Sequence, residues 1–104
     1  MLFVTTENIQ GKEITESLGV VRGSSVRARN IGRDFFAGLK NIVGGEISEY
    51  TQLLADSREQ AIKRMLDDAK KMGADAVVNV RFTTSNVMQG AAEILAYGTG
   101  VKLK

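Results

Sequence analysis

Between Ile14 and Arg29, Ile14, Leu18 and Val20 share one parity in a stretch rich in serine, threonine and valine, which predicts a long strand with a bend at Gly23. Asn30 then offers a helix cap. Ile31, Phe35, Leu39 and Ile42 recur at spacings of three and four, Phe36 and Val43 widen the stripe, and Gly44 and Gly45 end it. A second helix is expected from Glu46 to Met72, because Ile47, Tyr50, Leu54, Ala61, Met65, Ala69 and Met72 fall mostly along one face. Leu53, Ile62 and Leu66 broaden that face. A break near Ser57 is the alternative to one continuous helix. Its end is marked by Lys70 and Lys71, which complement the negative end of the helix dipole, and by Gly73, suited to a left-handed closing turn.

Ala76, Val78, Val80 and Phe82 then alternate with Val77, Asn79, Arg81 and Thr83, the period of a strand with one buried face. A turn is expected near Gln89 and Gly90. The last segment, Ala91 to Leu103, places Ile94 and Ala96 on one parity and Leu95, Tyr97, Val101 and Leu103 on the other. The order strand-helix-helix-strand-strand predicts an α/β chain of the α+β type: a two-layer sandwich whose small, mainly antiparallel sheet packs on one long helix. One helix layer covers one face of a sheet, so apolar residues on both faces of the last strand call for a second partner. Another copy of the chain is the simplest one. A helix roughly 40 Å long, at 1.5 Å per residue, points the same way.

A length of 104 residues fits one domain spanning residues 1–104, and 43% hydrophobic with 25% charged residues is ordinary for a folded chain. No apolar run approaches the roughly 20 residues of a membrane-spanning helix. No basic segment precedes an apolar one at Met1–Glu7, so no export signal is read and a cytoplasmic location is expected. The chain has no cysteine and no histidine. That removes disulfides, thiolate metal sites, the commonest general base and the commonest transition-metal ligand. No phosphate-binding loop with its lysine is present, and no cofactor is expected.

The net charge is only +2, yet Arg22, Arg27, Arg29, Arg33 and Lys40 face Asp34 alone in their segment. Arg29, Asn30, Arg33 and Asp34 are the candidate site residues. They lie at a helix start that can hold an anion, or Arg33 and Asp34 can pair across a subunit boundary while Phe35 and Phe36 pack. Asp67 with Asp68 and Glu46 with Glu49 are the nearest carboxylate pairs; adjacent helical residues diverge by about 100°, so Asp67 and Asp68 are not expected to meet one substrate. Gly98 and Gly100, inside the last strand, read as close-packing positions.

Arg33-Asp34-Phe35-Phe36-Ala37-Gly38-Leu39-Lys40-Asn41-Ile42-Val43-Gly44-Gly45-Glu46 resembles the signature of the YbjQ-like family. Val4-Thr5-Thr6, Leu18 through Gly23, Ala69 through Val78 and Tyr97-Gly98-Thr99-Gly100-Val101 resemble it in the same order, covering nearly the whole chain. Gly100 stands where the family's ending has alanine. The resemblance implies a small α/β subunit assembled into a homopentameric ring, with a heavy-metal-binding label and no established catalytic residues. Soft metals prefer thiolate and imidazole, which this chain lacks.

The leading expectation is therefore a non-enzymatic homo-oligomer, a pentamer by resemblance, that binds a small ligand or a protein partner. The alternatives are an enzyme built from carboxylates and threonine or lysine groups at subunit interfaces, and anion or nucleic-acid binding through Arg22–Lys40. No membrane partner is expected.

Overall fold

The computed structural model describes residues 1–27, 48–88 and 91–104. Over these it contains β1 (Leu2–Phe3), β2 (Ile14–Arg27), α1 (Ser48–Lys71), β3 (Ala76–Met88) and β4 (Ala91–Leu103). The strands form one mixed sheet in the order β1-β3-β4-β2. β4 is antiparallel to both β3 and β2, whereas β1 runs parallel to β3. One long helix on a mainly antiparallel sheet is the expected arrangement, and the bounds of β4 are those its alternation predicts. The helix expected at Asn30–Val43 and the turn at Gln89 and Gly90 lie outside the described residues.

α1 is continuous through Ser57, which is buried. Its 24 residues span about 36 Å at 1.5 Å each. It stops as its glycine dictates: Gly73 sits at φ 81°, its N–H donates to Lys70 O at 3.0 Å, and the Ala74 N–H donates to Ala69 O at 3.0 Å. This double closure satisfies carbonyls that the helix end leaves unpaired.

Small residues decide where the helix lies. Ala61, Met65 and Ala69, one turn apart, are fully buried against Val21, Val77, Val80, Ile94 and Ala96, with Leu18, Leu54 and Leu66 around them. Beneath this stripe is Gly23, where a Cβ would come within 2.5 Å of the Ala61 carbonyl oxygen. The backbone of α1 therefore rests directly on β2. Gly23 is not the expected bend; the irregularities of β2 fall at Ile14/Glu16 and Ser17/Gly19. They break the parity read from the sequence, so that Ile14 packs on the far face, Leu18 packs under the helix and Val20 is 66% exposed.

β3 carries a similar break. Asn79 takes φ 55° and the register with β4 slips between Val78 and Arg81, as a bulge with one residue in the left-handed region does. Val80 consequently joins Val77 under the helix, while Ala76 and Val78 face the other side. Phe82, beyond the bulge, is 44% exposed instead of continuing a buried face.

The face of the sheet away from α1 is partly covered by the chain's own start. Ile9 and Val4 pack with Ala76, Val78 and Val101, flanked by Ile14 and Leu103. The segment is sewn to the bulge: the Val4 N–H donates to Val77 O at 2.9 Å, and the Asn79 and Val80 N–H groups donate to Thr6 O and Val4 O at 3.0 Å. Arg81 Nη1 adds a bond to Thr5 O at 2.8 Å. Part of the second burial partner demanded by β4 is thus intramolecular.

Candidate functional site

Close packing of α1 on Gly23 brings one polar face of the helix over the outer edge of β2. Arg64, Asp67, Asp68 and Lys71 follow the i, i+3, i+4, i+7 spacing of a single helix face. With Arg22 they line an open groove of about 350 Å³.

Two of these groups are anchored by backbone. The Arg22 N–H donates to Asp68 Oδ2 at 3.0 Å, and Arg64 Nη1 donates to Ser24 O. The match is one of repeat distances: one helical turn rises about 5.4 Å, and two strand residues span about 6.7 Å. These bonds occupy an N–H and a C=O that an edge strand otherwise offers to another chain. Further along, Ser25 Oγ donates to Gln60 Oε1 at 3.0 Å, extending the helix-to-strand stitching by a turn.

Four of the lining residues are charged side chains of α1, the cationic Arg64 and Lys71 and the anionic Asp67 and Asp68, none paired with another, while Arg22 meets the groove at the strand edge through its backbone N–H. Among the described residues the one ion pair is Lys104 Nζ with Glu13 Oε2 at 3.8 Å, on the exposed surface at the far end of β2. Asp67 and Asp68 both line the groove, yet they diverge within it. Asp68 turns toward the Arg22 amide and Asp67 stays exposed. Arg29, Asn30, Arg33, Asp34 and Glu46 lie outside the described residues. Arg22, named in the sequence only for its charge, is the member of the Arg22–Lys40 segment that the structure sets beside other ionisable groups.

The sheet's outer face carries exposed apolar side chains among polar ones. On the sheet face away from α1, cross-strand partners run Val20–Thr99–Val78, Arg22–Tyr97–Arg81, Ser24–Leu95–Thr83 and Val26–Glu93–Ser85. Val20 is 66% exposed, Val26 53% and Tyr97 38%. No described helix is long and apolar enough to cross a membrane.

Among solved structures, a protein of unknown function from Pediococcus pentosaceus, assigned to the DUF74 family, superposes with a TM-score of 0.65 at 15% identity. The match covers 100% of this chain and 98% of that one and supports the fold alone. Curated relatives named UPF0145 proteins are far nearer in sequence. That of Archaeoglobus fulgidus is 61% identical over 104 residues, covering 100% of this chain and 96% of its own length. Those of Methanosarcina acetivorans and Photobacterium profundum are each 60% identical over 103 residues, covering 99% of this chain and 97% and 100% of their own lengths.

A family model described as "Putative heavy-metal-binding" matches residues 1–104. The donor set does not fit that description. Heavy metals are held by thiolates and imidazoles, the chain has no cysteine or histidine, and among the described residues no three acidic side chains converge. Of the methionine thioethers, Met65 is sealed in the core, whereas Met72 is partly exposed beside Gly19. The family model and the relatives agree over the whole sequence even where the label and the side chains part: this chain belongs to the YbjQ-like family of UPF0145 proteins.

Proposed function

We propose that the protein is a non-enzymatic, homo-oligomeric binding protein, five one-domain subunits in a ring, presenting symmetry-related copies of a weak site to a small ligand or a protein partner. The observation that carries this reading is the exposed apolar side chains on the outer sheet face. Val20 lies diagonal to Tyr97 and Val26 diagonal to Leu95, with Val20 and Val26 more than half exposed. Diagonal neighbours on a sheet lie within reach of one another, so the two pairs present apolar area on either side of Arg22 and Ser24 that a second copy would remove from water. Closed rings are a common solution for such contacts and multiply any weak site they carry. In this reading Arg29, Asn30, Arg33 and Asp34 stand at the subunit boundary, with Arg33 and Asp34 pairing across it. The ring itself is what the family resemblance implies.

Native mass spectrometry of protein purified without added metal or chelator tests the reading. The expected result is a five-subunit species carrying extra mass that is released on denaturation. A bare monomer at micromolar concentration would overturn it.

A further inference from the structure

The charges in the groove between α1 and β2 are held apart. Asp68 is drawn to the Arg22 amide and Arg64 to the Ser24 carbonyl, so neither satisfies the other, although residues four apart on a helix are near enough to pair. Lys71 and Asp67, also four apart, make no ion pair. Two anchored groups of opposite charge, with a second cation and a second carboxylate alongside, form a surface complementary to a molecule that itself carries both charges. A simple anion would meet Asp67 and the negative end of α1, and a simple cation would meet Arg64 and Lys71.

We propose that this groove binds a small zwitterion, an aliphatic amino acid whose carboxylate is received by Arg64 and Lys71 and whose ammonium is received by Asp67. Arg64 has guanidinium N–H groups beyond the one spent on Ser24 O, arranged as a fork that matches a carboxylate. Asp67 is exposed and committed to no other described group. Asp68 and Arg22 act as positioning residues: their bond fixes the helix face against the strand, so the site is set before ligand arrives. The inference deepens the small-ligand part of the proposed function but is read within one subunit, independently of assembly.

The test is a nuclear magnetic resonance titration of the full chain with a series of amino acids from glycine to aminohexanoate, which increases the separation of the charges. Acetate and methylammonium serve as single-charge probes. The expected result is saturable shifts of the Arg22, Arg64, Asp67, Asp68 and Lys71 amides, with at least one amino acid binding about tenfold more tightly than either probe. Asp67→Asn and Arg64→Ala each weaken that binding by about fivefold, the worth of one exposed charge contact of about 1 kcal/mol. Both positions are exposed, and Asp67→Asn keeps side-chain shape, so it remains informative if Arg64→Ala disturbs the fold. Shifts with acetate as strong as with every amino acid, or binding unchanged by Asp67→Asn, would overturn the proposal. Neither result bears on the subunit number that the mass spectrum reads.

Discussion

Replacing Gly23 by alanine is the sharpest probe of how α1 is seated. An added Cβ would stand within 2.5 Å of the Ala61 carbonyl oxygen and the Arg64 carbonyl carbon. Carbon atoms rest comfortably at about 3.5–4.0 Å, so the helix must lift by about 1 Å. Neither side can give by rotating a side chain, because the obstruction is main chain on both. Overpacking a core costs about 1–3 kcal/mol. Here the lift also thins the contacts of Ala61, Met65 and Ala69 and stretches the bonds from Arg22 to Asp68 and from Arg64 to Ser24, each worth about 1 kcal/mol. Alanine returns about 0.4–1 kcal/mol by restricting the unfolded chain. The net expectation is a loss of about 3 kcal/mol or more, read as a lower midpoint in urea denaturation followed by circular dichroism, with a fall in Tm of about 12 °C or more. A Gly23→Ala variant within 1 kcal/mol of the parent would refute the reasoning, since main chain cannot overlap main chain at so small a cost.

Two further substitutions separate kinds of constraint. Gly98→Ala should cost about 2 kcal/mol, because its Cβ would lie 2.8 Å from Val77 Cγ1 and from Val78 O, while Gly100→Ala, 3.2 Å from Val21 Cγ1 and 3.3 Å from Ala74 Cβ, should cost under about 1 kcal/mol; paired urea melts check the order. Asn79→Gly should leave stability within about 0.5 kcal/mol and Asn79→Ala should lower it by about 1 kcal/mol, because the residue sits at φ 55°, where glycine and asparagine are at ease and alanine is not; thermal melts of both variants decide it.

The sequence carried clear local signals where periodicity and punctuation agreed. α1 with its Gly73 closure and the bounds of β4 were legible because each depends on residues adjacent in the chain, and the close-packing use of Gly98 and Gly100 because glycine inside a strand marks a close approach even when its partners are distant. Parity failed in β2 and β3, where bulges at Ile14/Glu16, Ser17/Gly19 and Asn79 shift which side chains share a face. A count by twos has no term for an inserted residue. The two-residue β1 and the cover provided by Val4 and Ile9 were missed because their partners lie in β3 and β4, far along the chain.

The groove was hidden for a related reason. Arg64, Asp67, Asp68 and Lys71 look like a solvated helix face until Gly23 sets them over the edge of β2. The signal available was their one-face spacing beside the small-residue stripe Ala61, Met65 and Ala69. Arg29, Asn30, Arg33 and Asp34, the residues the sequence favoured, lie outside the described residues.

The cover formed by the chain's first residues also has a kinetic consequence. Leu2 and Phe3 pair with Ala76 and Val77, and Ile9 packs on Val101. During synthesis this segment emerges well before β3 and β4, so its docking surface is complete only after β4 has emerged. Closing a loop of that length costs about 4 kcal/mol in chain entropy, recovered only once the rest of the sheet is in place. A segment made early must therefore wait for strands made late before it can dock.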